Sequence, residues 1–162
     1  MNDPSMRAQL LQAVRQWDGF LALGFGSGLA PKAPGTFGTL AAVPLALALK
    51  QLPLGAQLVL ITFAFMLGVW VCDRVGKRLG AADHGAMVWD EFVGYWVAVL
   101  LIPVTFGWLL TAFVLFRLLD ILKPWPIRAL ERRSSGGFGV MVDDLLAGIL
   151  TMLLLMLLGQ WF

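Results

Sequence analysis

Two acidic pairs open strongly apolar stretches of this chain: Asp90-Glu91 in VWDEFVGYWVAVLL and Asp143-Asp144 in VMVDDLLAGILTMLLLMLL. An ionised carboxylate at the edge of a hydrocarbon-like segment is expensive unless something binds it. Oxygen-only donors gathered at one place suit a hard divalent cation. A third acid, Asp120, opens DILKPWPI, with Lys123 three residues on and therefore on the same face of a helical turn. Such a pair is either a structural salt bridge or a metal ligand beside a phosphate-binding ammonium. The two acidic pairs share an order of residues, apolar-acid-acid-apolar-x-small. Gly94, Ala147 and Gly148 follow them on nearby helix faces, where small residues let helices approach closely in lipid. A carboxylate in a first helical turn is also favoured by the helix dipole.

A second group of residues has the makings of an anion cradle. GFGSGLAPKAPGTFGT, residues 24–39, is rich in Gly, Pro, Ser and Thr and reads as a loop. Gly35, Thr36, Gly38 and Thr39 offer backbone and hydroxyl donors ahead of an apolar helix, and Lys32 adds a full positive charge. It is not a P-loop, since no Gly-Lys-Ser/Thr follows at the spacing that motif requires. SSGGFG, residues 134–139, stands before the second acidic pair in a similar way, or is only a turn. Other phosphatase chemistries lack their residues. There is no Cys-x5-Arg loop, no Asp-x-Asp nucleophile and no pair of histidines, because His84 stands alone in an Asp-His-Gly turn. Cys72, the single cysteine, lies in an apolar run and reads as packing.

The elements that must position these residues are dictated by composition. Of 162 residues, 59% are hydrophobic and 14% charged, and mean hydropathy is +0.82, far from the balance of a soluble domain. The length suits one domain, residues 1–162. The net charge of +2 gives no reason to expect a nucleic-acid partner. Residues 1–17 form an N-terminal arm in which Met6, Leu10, Val14 and Trp17 fall at helical spacing, an amphipathic helix for the interface. Residues 38–49 are apolar but short and interrupted by Pro44. Residues 52–72 are long enough to cross a bilayer. Residues 92–116 are uncharged, and Pro103 and Gly107 divide them into two segments joined by a turn. Residues 145–162 form the last uncharged stretch, ending in Trp161 and Phe162, residues suited to an interface. No N-terminal signal peptide is evident, so insertion is expected to rely on these internal segments. The expected fold is all-α: an integral membrane helical bundle of four to five apolar helices with an N-terminal interfacial helix.

Charge placement orients this bundle. Arg7, Arg15, Lys32, Arg74, Lys77, Arg78, Arg117, Lys123, Arg128, Arg132 and Arg133 fall in one set of loops, and only Lys50 in the other. The positive-inside rule makes the first set cytoplasmic, and the acids segregate with it. Arg117, Arg128, Arg132 and Arg133 are expected to read anionic lipids and set topology. Carboxylates for a metal, donors for an anion and a membrane surface together suit a phosphorylated lipid headgroup. A small divalent-cation transporter or channel is the alternative, but it would distribute its acids through the depth of the bilayer.

The blocks GFGSGLAPKAPGTFGTLAAVP, DHGAMVWDEFVGYW and FRLLDILKPWPIRALERRSSGGFGVMVDDLLAGI resemble the bacterial phosphatidylglycerophosphatase A family over most of the chain, from about Asp18 to Gly159. The resemblance implies a magnesium-dependent, multi-pass enzyme of the bacterial inner membrane. Its implied reaction hydrolyses phosphatidylglycerophosphate to phosphatidylglycerol and phosphate. On this reading Asp90, Glu91, Asp120, Asp143 and Asp144 make up the Mg2+ site and its base, with Glu91 the expected proton acceptor and Asp90 and Asp143 beside it in catalysis. Lys32, Gly35, Thr36, Thr39 and Lys123 are expected to hold the substrate phosphate. The sequence sets no oligomeric state.

Overall fold

The helix Trp89–Ala98 is buried along all ten residues, and the rest of the chain is arranged around it. A computed structural model describes residues 4–125, 127–131 and 135–159. Among these there is no strand. The order is α1 (Pro4–Ala13), α2 (Trp17–Ala22), a 3-10 segment (Gly24–Leu29), α3 (Pro34–Leu49), α4 (Leu54–Leu79), α5 (Trp89–Ala98), α6 (Phe106–Leu122), α7 (Ile127–Glu131) and α8 (Gly136–Gly159). Two of these, α4 with 26 residues and α8 with 24, are long and apolar enough to cross a membrane. Their outward faces are as apolar as their inward ones: Val59, Phe63 and Met66 on α4 and Leu157 on α8 are all more than half exposed. Helices hydrophobic all round belong in lipid or in a large core; among the described residues α5 is the one helix buried along its whole length.

Backbone-to-backbone contact holds α5 to α8. A Cβ on Gly148 would run into the carbonyl oxygen of Gly94, and one on Gly94 would lie 2.7 Å from the carbonyl oxygen of Asp144. Each helix carries the sequence Asp-x-x-x-Gly, Asp90 to Gly94 and Asp144 to Gly148, so an acid sits one turn above each contact glycine. The two helices therefore run parallel, with their acids at the same level. The sequence echo aligned Asp90 with Asp143; the packing register instead sets Asp90 level with Asp144. On the other side of α8, Gly137 abuts the Val69 carbonyl of α4, and Met141 fills the space left by Gly68.

The structure corrects several expectations. Residues 34–39 are not loop but the first turns of α3, whose N-cap Ala33 takes the left-handed φ of 47°. Pro44 does not interrupt α3, which runs through it; a missing N–H is tolerated where neighbouring helices support the chain. Asp143 and Asp144 lie two turns inside α8, because the helix already begins at Gly136. The N-terminal helix ends at Ala13, and Trp17 starts a second one. The expected break near Pro103 is present, between Ala98 and Phe106. Trp161, Phe162, Arg132, Arg133 and Ser134 lie outside the described residues.

Charged side chains fasten the periphery at both ends. Asp18 of α2 is buried and binds two arginines of α4, Arg78 at 2.7 Å and Arg74 at 3.0 Å. The Arg78 hydrogen bond above all holds the Asp18 carboxyl below its ordinary value of 3.8, against the opposing effect of burial. At the far end, Lys50 Nζ donates to the carbonyls of Leu100 (2.9 Å) and Ile102 (3.1 Å), which follow α5.

Two outcomes follow from this packing. Gly148→Ala should lower the melting midpoint in detergent sharply, since forced overpacking costs about 1–3 kcal/mol. Gly55→Ala, with nothing within 4 Å of its Cβ, should leave the midpoint unchanged or raise it. Asp18→Asn should melt below the wild type at neutral pH. A depressed folded pKa gives stability that is present above 3.8 and lost as pH falls through the folded value. The gap between the two proteins should therefore close in acid, and a gap constant down to pH 3 would contradict this ion-pair reading.

Candidate active site

Parallel packing of α5 on α8 brings the two acidic pairs face to face. One carboxylate oxygen from each of Asp90, Glu91 and Asp144 lies within 4.8 Å of the other two, and all three side chains are buried. Each pair is pinned in the same way. The N–H of Glu91 donates to Asp90 Oδ1, and the N–H of Asp144 donates to Asp143 Oδ1, both at 3.1 Å. Two oxygens remain buried without a partner, Glu91 Oε2 and Asp144 Oδ2. Buried acceptors are rarely left unmatched, and each one calls for an explanation.

The C-terminal turn of α6 completes the cluster. Arg117 Nη1 donates to Asp120 Oδ2 at 2.8 Å and reaches Glu91 Oε1 at 3.5 Å. Asp120 in turn neighbours Asp144. Lys123 follows α6 with a left-handed φ of 43°. Pro124 cannot continue a helix there, and the turn aims the ammonium across at Asp143 Oδ2, 2.5 Å away. Five carboxylates thus share the space with the two cations bonded to them. That excess of negative charge in a buried place is unstable without further positive charge. Oxygen-only donors, two of them unmatched, fit a small hard cation such as magnesium.

The N-terminus of α3 closes the site from the side. A Cβ on Gly35 would collide with Glu91 Oε1 and stand 2.7 Å from Arg117 Nη2. A side chain there would have to displace the Glu91 and Arg117 tips, whereas glycine leaves the positive end of the α3 dipole against Glu91. Thr36 is half-buried in the same turn, and Lys32 is exposed on the turn before it. Thr39 is fully buried, and its hydroxyl donates to the Gly35 carbonyl at 2.9 Å, bracing the helix. His84 shapes the loop before α5: its Nδ1 accepts the Ala86 N–H at 3.1 Å, and its carbonyl accepts the Met87 N–H at 2.7 Å. Burial pushes the His84 imidazole below its usual value. Asp83 is exposed.

All five sequence-predicted acids and Lys123 therefore meet, with Gly35 against them. Arg117 was expected to read lipid headgroups from the surface. Its side chain is instead 14% exposed and sits between Glu91 and Asp120. The signal was its position three residues before Asp120, the same helical spacing that singled out Lys123.

Fold and site define an all-helical protein with two helices fit to cross a membrane, built around a buried carboxylate cluster. The sequence profile described as phosphatidylglycerophosphatase A matches residues 20–159. The phosphatidylglycerophosphatase A of Haemophilus influenzae is 42% identical over 99% of this chain and 97% of its own. That of Escherichia coli is 42% identical over 86% and 82%. A protein of Bacteroides thetaiotaomicron named as a putative phosphatidylinositol-3-phosphatase is 40% identical over 83% and 89%. No solved structure matches. The chain belongs to the phosphatidylglycerophosphatase A family.

Removing one partner from a buried charge cluster costs about 3–5 kcal/mol. Arg117→Met should therefore lower the melting midpoint strongly, and adding Asp120→Asn should recover part of the loss. A single variant that melts like the wild type would show that Arg117 does not balance these acids.

Proposed function

We infer that this chain hydrolyses the phosphate monoester of phosphatidylglycerophosphate, releasing phosphatidylglycerol and inorganic phosphate, with magnesium as its cofactor. The observation that carries this reading is the Asp90–Glu91–Asp144 cluster, with two unmatched oxygens and flanking cations, in a member of this family. Asp90, Glu91 and Asp144 would hold the ion, with Asp120 tied to Glu91 through Arg117 and Asp143 paired with Lys123 beside them. Bound there, magnesium supplies charge for the phosphoryl oxygens and lowers the pKa of water.

The chain's own residues do the rest. The α3 N-terminus, Thr36 and Lys32 on one side, with Lys123 and Arg117 on the other, receive the phosphate. Glu91, in the first turn of α5 and against Gly35, accepts the proton of the attacking water as the new oxygen–phosphorus bond forms. The bond from phosphorus to the glycerol oxygen breaks, and that oxygen leaves with the proton that Glu91 returns.

The reaction is assigned to the cytoplasmic face of a bacterial inner membrane. Arg74, Lys77, Arg78, Lys123 and Arg128 gather at the site end of the helices and Lys50 at the other, as the positive-inside rule requires. In this arrangement α3 and α6 join α4 and α8 as the apolar wall of a bundle of four to five apolar helices, and α5 reaches only part of the depth.

Purified protein in proteoliposomes should release phosphate from phosphatidylglycerophosphate with magnesium, stop with chelator and resume on readdition. Asp90→Asn, Glu91→Gln and Asp144→Asn should each lower kcat by about 100-fold or more. Faster release from phosphatidylinositol 3-phosphate would reassign the headgroup. Magnesium flux without phosphate release would replace hydrolysis with transport.

A further inference from the structure

Helices joined by a short turn normally pack against each other, yet α3 and α4 scarcely touch. Between them lies a groove of about 400 Å³, walled by Leu45 and Leu49 of α3 and by Phe63 and Leu67 of α4, with Trp89 and Trp96 of α5 as its floor. The two indoles hold the helices apart. Trp89 Nε1 donates to the Ala64 carbonyl at 3.0 Å, and Trp96 Nε1 to the Ala42 carbonyl at 3.1 Å. Their polar atoms are thereby matched, and what remains for the groove is ring surface. Leu45 and Phe63 are exposed along its rim, so the groove opens sideways, where lipid would lie.

Its direction links it to the site. The upper end is Trp89, whose next residue is Asp90 of the carboxylate cluster; a Cβ on Gly68, next to Leu67, would stand 2.7 Å from the same indole. The lower end reaches Leu52, in the turn beyond α3. Leu52 and Leu67 are fifteen residues apart. At 1.5 Å per helical residue this is about 20 Å, enough for the depth of one leaflet's hydrocarbon, about 15 Å.

We propose that this groove seats one acyl chain of the phospholipid substrate, so that the headgroup phosphate is delivered to Asp90, Glu91 and Asp144. The proposal rests on the lipid-phosphatase reading above. The occupant must be a long, flexible, wholly apolar chain that begins at the site and runs away from it through the membrane. A phospholipid tail attached to the reacting phosphate meets each condition. Burying successive methylenes against Trp89 and Trp96 adds to affinity without touching the reacting atoms, so the groove acts on KM rather than on the chemical step.

Ala48 is exposed and lines the groove, so Ala48→Phe fills it without disturbing the core. With dioleoyl phosphatidylglycerophosphate, KM should rise about ten-fold while kcat stays within about two-fold; an unchanged KM would overturn the proposal. Should this variant not fold, the wild type in chelator is irradiated with a phosphatidylglycerophosphate bearing a mid-chain diazirine. Adducts should concentrate on Leu45, Phe63 and Leu67. Adducts spread over all lipid-facing helices, or equal labelling of the groove by a diazirine phosphatidylcholine, would make it a seat for bulk lipid and refute the proposal. Failure of the wild type to hydrolyse the lipid would refute the functional reading separately, since the labelling pattern does not depend on turnover.

Discussion

The contact of Gly94 with Gly148 is the constraint on which the rest depends. Neither glycine can carry a side chain without driving α5 and α8 apart. Because the contact fixes the helices parallel and in register, the acids one turn above must meet. In water a site could be assembled on loops and tuned by solvent. Between apolar helices the hydrophobic effect supplies little discrimination, and close packing of small residues sets the register. Chemistry and packing are thus written into the same short stretch of each helix, Asp90 to Gly94 and Asp143 to Gly148.

Electrostatics then dictates the neighbours. Four carboxylates gathered by one backbone contact, joined by Asp120 of α6, call for cations, and the end of α6 supplies two in different ways. Arg117 comes from within the helix and spans Glu91 and Asp120, while Lys123 reaches Asp143 from the left-handed residue that ends it. The balance stays negative, and Glu91 Oε2 and Asp144 Oδ2 stay unmatched. A site stabilised by its own cations would be a salt-bridge network. This one retains unmatched oxygens, which is the feature that the proposed cofactor would answer. At the opposite end of the helices Lys50 holds the carbonyls after α5.

Much of this was legible in the sequence where chemistry and polarity coincide. Acids at the head of apolar runs marked the members of the cluster, and Pro103 marked the split between α5 and α6. Glycine was harder because it has two physical meanings. Gly136 and Gly137 read as a turn, yet Gly137 lets α8 begin early and press against the Val69 carbonyl, which places Asp143 and Asp144 two turns deep. The same ambiguity hid the start of α3, where Gly35 serves approach to Glu91 rather than flexibility. Arg117 was misread because arginines beside membrane segments commonly mark topology; its spacing to Asp120 carried the other meaning. Thr39 looked like a free donor, and only the fold shows its hydroxyl spent on the Gly35 carbonyl.

The proposed chemistry requires that Asp90, Glu91 and Asp144 together hold a divalent ion. Manganese, a hard divalent ion with a resolved electron paramagnetic resonance spectrum, can report this in the purified protein without any turnover. Titration should show saturable binding that magnesium displaces, and both Glu91→Gln and Asp144→Asn should lose it while Gly55→Ala keeps it. Saturable binding that survives in both acid variants would contradict the account.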